Sequence, residues 1–539
     1  MVEKCYFKEA ILNDSYDLVV HKNGSAYEIS LKVKQEITVP KIEFIIEFDQ
    51  PIKAWRNHDY KWVDLNKERI SNDYAPKILV LNDDTHVLSN KNVGLWEYNI
   101  SNKNCIKWVL RHPQLTPLFQ YENNCNRSFK ENFNVEDFNF KLLFTDKEVP
   151  EFSRSYIPFS SILCFTDHCD FDTNDSLNKQ LDFFNKNSVR VTKGFFLNHF
   201  SKREENSSFE HDKNIVKKFI TYNHELAYHS LTQSLRSFED AKEEFFSFST
   251  PYKNIETWID HGYQPYNYTS IHSSKLDESK WSSNLLSKNI SNLWTYVDSG
   301  TTCRNIFNQI NPEHFSINNI LKNFKYLGKS RFKFIFRSLI LFSGNEKLIY
   351  NYKRLTKELK KGFLNNKIKN LFNAIPLFFY CGFTVVLNLV SIKKRNKVFH
   401  FAKYSPLIFK SKINDNIFNM FQTLEVTDFE STFCKNNLNN LCAESGVIIA
   451  HCYFSSPLKY QKGKLFYGNT ISQQNQFNFK YLKQLIDNKN IWNPTISELI
   501  NYHNLNLDIE YTIDQQTSSI KVKNAGHTHI RYIKLDDKL

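Results

Sequence analysis

Alternation of apolar and polar residues dominates the first 150 positions. Runs such as AYEISLKVKQEITV (26–39), KIEFIIEF (41–48) and KILVLN (77–82) place every second side chain on one face, as half-buried strands require. Asn, Asp, Pro and Gly punctuate them, which predicts an N-terminal β-sandwich-like domain over 1–155. From about 156 the pattern changes. SSILCFT (160–166) reads as a buried strand and NDSLNKQLDFFNKN (174–187) as an amphipathic helix opened by an Asn cap. KGFFLN (193–198) is a second strand, DKNIVKKFITYN (212–223) a second helix and SFEDAKEEFFSFS (237–249) a third. Strands alternating with helices imply a parallel sheet or barrel, whose chemistry gathers at the C-terminal strand ends.

The alternation breaks between 305 and 397. FKYLGKSRFKFIFRSLILF (324–342) mixes basic and large apolar residues at helical spacing, and IPLFFYCGFTVVLNLVSI (375–392) is almost uncharged, closed by KKR at 393–395. Its length reaches the lower limit for spanning a membrane, although Pro376, Gly382 and Asn388 interrupt it. Three placements stay open: a spanning helix, an interfacial hairpin and a buried core hairpin. An apolar strand returns in ESGVIIAHCYF (444–454), and 507–535 alternates as a small antiparallel β unit. The fold class is therefore α/β: a barrel formed by 156–304 and 398–490, an N-terminal β-rich domain, a helical insert at 305–397 and a C-terminal β unit at 491–539.

Composition narrows the function classes. A chain of 539 residues is too long for one ordinary core, and its 41% hydrophobic and 15% aromatic content excludes a disordered protein. Ten cysteines never form CxxC, which argues against a disulfide framework or zinc ribbon and for reduced thiols. The first residues hold no apolar run of signal-peptide length, so a cytoplasmic start is expected. Charge is concentrated: residues 322–397 hold 18 Lys/Arg against Glu346 and Glu358, a local +16 within a total of +13. One basic insert beside an apolar run suits an anionic membrane surface better than nucleic acid, which is not expected as a partner.

The residues with the densest chemistry follow the first barrel strand. Asp167, His168, Asp170 and Asp172 crowd into six positions of FTDHCD and its continuation, where they repel one another unless a cation intervenes or water solvates them as a plain turn. His224, Glu225 and His229 form a second cluster in HELAYHSLTQ, and His229 and Gln233 share a face if the segment is a helical turn. Trp55, Trp62, Trp96 and Trp108 are either core aromatics or a sugar-stacking face.

Together, CFTDHCD (164–170), HELAYHSLTQ (224–233), ETWIDHGYQPY (256–266) and SGVIIAH (445–451) resemble, in that order, the motifs of the polysaccharide deacetylase family, also called the NodB-homology or carbohydrate esterase family 4 fold. The resemblance covers about two fifths of the chain and implies a distorted (β/α) barrel. It makes Asp167 the catalytic base, with His168 or Asp170 as the metal carboxylate's equivalent, His229 a metal ligand and His451 the general acid. Gln233 stands where the family has its second ligand His, and the third motif lacks its Arg. His261 is the leading replacement ligand, with Asp260, Gln233 and His224 in supporting positions. The implied activity is removal of an acetyl group from a polysaccharide or lipid-linked glycan precursor by a divalent ion, zinc, at the inner face of a membrane. The alternative is an inactive relative that binds a glycan or serves a membrane-associated assembly.

Overall fold

The computed structural model describes the chain from Cys5 to Leu535 apart from 10–15, 35–37, 40, 112–116, 120–126, 130–132, 135–136, 203–205, 272–273, 302–306, most of 323–344, 365–366, 391–406, 427, 456–464 and 468–469. Most of the helical reading of 324–342, and the KKR closure at 393–395, lie outside the described residues.

Seven parallel strands close on themselves. They are β1 (Ser161–His168), β2 (Thr192–Phe195), β3 (Glu225–His229), β4 (Thr257–Ile259), β5 (Asn292–Thr301), β6 (Asn416–Glu425) and β7 (Val447–Cys452), each paired with the next and β7 with β1. An antiparallel strand, Ile408–Ile413, flanks β6, and the crossovers carry α1 (Asn174–Lys186), α2 (Lys213–Thr221), α3 (Phe238–Ser247) and α4 (Glu278–Ser287). The first helix is capped one residue before the expected Asn. Thr173 is the cap: its hydroxyl accepts from Ser176 N while Ser176 Oγ accepts from Thr173 N, a closed capping box. The insert between β5 and β6 contains α5 (Glu346–Leu364) and α6 (Ile368–Val390), and α7 (Lys435–Ala443) precedes β7.

After β7 come α8 (Gln473–Asp487), a short strand Ile491–Trp492 paired with β1, and α9 (Ile496–Leu507), so the barrel continues past 490. Ile496, Leu499 and Ile500 of α9 pack with Ile162, Ile449 and Trp294 of the strands. Ser497 donates from both N and Oγ to Glu225, which also accepts from Thr192 Oγ1 and Thr257 Oγ1. These are the first residues of β2, β3 and β4, so α9 closes the N-terminal end and leaves the C-terminal end as the mouth. The β unit proper is the hairpin Glu510–Ile513/Ile520–Lys523 with the strand Ile530–Ile533, which pairs with Val149–Phe152.

The N-terminal region is a sandwich of a five-stranded and a seven-stranded antiparallel sheet. Trp55, Trp96 and Trp108 are fully buried between them, and Trp62, half-buried, donates from Nε1 to Lys534 O at 3.0 Å, so the tryptophans are core and junction residues rather than a sugar platform. Buried Glu151 takes two hydrogen bonds from Arg56 (2.8 and 2.7 Å) and one from Arg531 (2.7 Å), binding the sandwich to the C-terminal strand.

Candidate metal centre

Strand parity decides which side chains reach the mouth. Along β1, Ile162 and Cys164 belong to the interior cluster while Leu163 and Phe165 pack against the helices. Thr166 and His168 therefore face inward and Asp167 outward. By the same alternation β3 turns Ala227 and His229 inward, β4 Ile259, and β7 Val447, Ile449 and His451. His261, two residues beyond Ile259, keeps that side. His229 and His261 reach Asp170, which enters from the turn after β1, and His168 and His451 stand beside them at the mouth.

The contacts are close. Asp170 Oδ2 lies 3.1 Å from His229 Nε2 and Oδ1 lies 2.7 Å from His261 Nε2. Ligand atoms of His168, Asp170 and His229 fall within 4.8 Å of one another. His168 stacks on His451 with ring centroids 4.4 Å apart and planes 19° apart. Trp294 meets both rings edge to face, at 5.1 and 4.9 Å, and Phe196 walls the other side against His229 and His261 at 4.9 and 5.0 Å.

Electrostatics favour an anionic Asp170. Burial alone would raise the Asp170 carboxyl, but His229 and His261 outweigh it and hold it well below the usual carboxylate range. Burial pushes His168 well below the ordinary imidazole value, helped by His451 and His229. Burial also lowers His229, against the pull of Asp170. A neutral imidazole has one proton and one lone pair. His229 faces acceptors on both sides, with Ile259 O 3.3 Å from Nδ1 and Asp170 Oδ2 at Nε2. Either tautomer leaves one acceptor pointing at another. A cation between Nε2 and the carboxylate removes the conflict, with Nδ1–H donating to the carbonyl as metal-bound histidines do. Among the described residues, His168 Nδ1 and His261 Nδ1 are buried with no hydrogen-bond partner. The donor set of one carboxylate and up to three imidazoles fits zinc or a similar divalent ion.

Four expected site residues sit elsewhere. Asp167 faces away from the mouth: its carboxylate accepts from Phe454 N at 2.9 Å and pairs with the ammonium of Lys193. HELAYH is strand rather than helical turn, so His229 and Gln233 share no face; the Gln233 carbonyl accepts from Ser201 Oγ and Ser234 Oγ at 3.0 and 2.9 Å. His224 precedes the strand at its closed end, about 16 Å from His229 at about 3.3 Å per residue. There its Nδ1 accepts from Val191 N at 3.2 Å, and burial lowers it to about 4. Asp260 accepts from Trp258 Nε1, Tyr268 N, Thr269 N and Thr269 Oγ1, fixing the turn that carries His261. Burial raises it to about 6 against those hydrogen bonds.

Lys193 and Gly194 carry functions that pattern reading missed. Lys193 is fully buried between Asp167 and Asp172 and lies 3.1 Å from Gln180 Oε1 of α1, clamping both ends of the turn that presents Asp170. The signal was present: a lysine opening the apolar run KGFFLN must find an anion. A Cβ on Gly194 would stand 3.3 Å from His229 Cβ and 3.5 Å from Ile259 Cδ1, so the glycine leaves room for the imidazole. Gly194→Val is expected to displace His229 and weaken metal binding about tenfold or more, read by competition with a chromophoric chelator. Unchanged affinity would show that the ring is not confined there.

The sequence matches no protein-family model and no curated protein. Among solved structures, the fold is similar to a GH31 dextranase of Flavobacterium johnsoniae complexed with glucose, at 9% identity over 96% of this chain and 73% of that one, with a TM-score of 0.27. A mutant of that dextranase complexed with isomaltotriose gives 7% identity over 54% of this chain and 46% of that one, and a beta-arabinopyranosidase 7% over 55% and 58%, each with a TM-score of 0.20. This chain thus spans less than two thirds of the length of the latter two. Similarity at this level assigns no family, and the chemistry rests on the side chains gathered at the mouth.

Proposed function

We propose that the chain is a metal-dependent hydrolase of the polysaccharide deacetylase type, removing an acetyl group from a polysaccharide or glycan precursor. The observation that carries this reading is His229 held between two acceptors, Ile259 O and ionised Asp170, at the open end of a parallel barrel. The motif order supplies the substrate class. Asp170, His229 and His261 would hold a divalent ion, zinc. Bound there, such an ion polarises an acyl carbonyl and lowers the pKa of water.

The remaining chemistry belongs to His168 and His451. Asp167 is turned outward and paired, so we assign the base to the inward residue next to it, His168, whose Nδ1 has no hydrogen-bond partner among the described residues. His451, stacked on it from β7, is placed to donate a proton, in its imidazolium form, to the leaving amine or alkoxide. Trp294 and Phe196 exclude water from the back of the site and keep the rings in register.

Metal analysis of the purified chain and acetate release from an acetylated oligosaccharide test the proposal. Stoichiometric zinc is expected, and His168→Ala should retain it while losing about 100-fold in turnover. A chain that takes up no metal at saturating zinc, or a His168→Ala variant with full acetate release, would overturn the assignment.

A further inference from the structure

The insert between β5 and β6 presents a face that the barrel does not cover. In the 23-residue α6, Ala374, Cys381 and Val385 turn inward to join the main core. The opposite side exposes Ile368, Phe372, Phe379, Phe383, Val386 and Val390, with Phe379 68%, Phe383 67% and Val390 74% accessible. Six large apolar side chains on one helix face are costly in water and mark an interaction surface.

Charge identifies the occupant. Lys347, Arg354, Lys357, Lys360 and Lys361 are exposed on α5 and Lys367 and Lys369 at the start of α6, within a segment whose net charge is +16 by sequence. A protein partner could cover the apolar stripe alone. An anionic bilayer matches both features, taking aromatic side chains into its acyl boundary and the cations at its headgroups.

The packing also fixes the orientation. At about 1.5 Å per residue α6 is about 35 Å long, enough to cross a hydrocarbon core of about 30 Å. Three residues join α5 to α6, and the two pack along each other, with Leu371 against Gly362. A crossing α6 would draw the cations of α5 into hydrocarbon with it. We infer that the α5–α6 hairpin lies flat on an anionic membrane surface, its aromatic stripe inserted and its lysines at headgroup level, mooring the barrel to the lipid. The inference is independent of the hydrolase assignment.

Co-sedimentation of the full chain with vesicles tests it. Binding is expected to vesicles of phosphatidylcholine containing phosphatidylserine and to weaken with added salt. The triple variant Phe372→Ser, Phe379→Ser, Phe383→Ser should lose about tenfold or more of that binding. Circular dichroism and metal content unchanged from the parent chain would show that the barrel is intact. Three results would each overturn the inference: no binding of the parent chain, equal binding by the triple variant, or a dimer in solution that the triple variant dissociates without any vesicle binding.

Discussion

Replacing Asp170 with Asn is expected to reduce zinc affinity by about 100-fold or more and to abolish acetate release. The amide keeps the size of the side chain but loses the charge that His229 and His261 share, and one of its two heads becomes a donor. The carboxylate touches both imidazoles, at 3.1 and 2.7 Å, so no other described residue can replace it in that position. Isothermal titration with zinc reads the affinity directly. Gln233→Ala serves as the control, because among the described residues Gln233 bonds to Ser201 and Ser234 rather than to the site and should leave zinc binding unchanged. If Asp170→Asn binds zinc as the parent does, the ion is held elsewhere or is absent from the chemistry.

Much of the fold was legible from periodicity. The β/α alternation over 156–304, the strand ending at His451 and the antiparallel tail all carry local signals, since each element buries one face and exposes another. Of the residues singled out in the sequence, His168, Asp170, His229, His261 and His451 meet at the mouth, but nothing in the sequence separated them from Asp167, Gln233, His224 and Asp260. Every residue of β1 is buried, so no apolar-polar alternation reveals whether Asp167 or His168 points into the barrel. Only the pairing of β1 with β2 and β7 settles it. HELAYHSLTQ failed for the same reason: a short segment buried on both faces carries no period, and spacing of four suggests a helix where a strand lies. The closing helix α9 was absorbed into a β unit, because its role depends on Glu225, distant in sequence.

Removing the ammonium of Lys193 is expected to be the most destabilising single change, about 3–5 kcal/mol for Lys193→Met. The lysine is fully buried and pairs with Asp167 and Asp172, themselves buried, so the substitution leaves two carboxylates without a counter-charge. Burial pushes Asp167 up to about 7 against the pull of Lys193, whereas the two carboxylates hold Lys193 above its ordinary value. A lysine whose folded value is raised contributes fully below its unfolded value and loses that contribution only as pH rises through the folded one. The whole effect should therefore appear in urea denaturation above neutral pH, where Asp167 is ionised and Lys193 still charged, and shrink as Asp167 takes up its proton below about 7. The triple variant Lys193→Met, Asp167→Asn, Asp172→Asn should recover most of the lost stability, because no uncompensated charge remains. Zinc affinity separates stability from position. The ammonium ties Asp167 and Asp172 across the turn that carries Asp170, so the triple variant, although refolded, should still bind zinc about tenfold more weakly than the parent. Parental zinc affinity in that variant would mean that the turn holds Asp170 in place without the clamp.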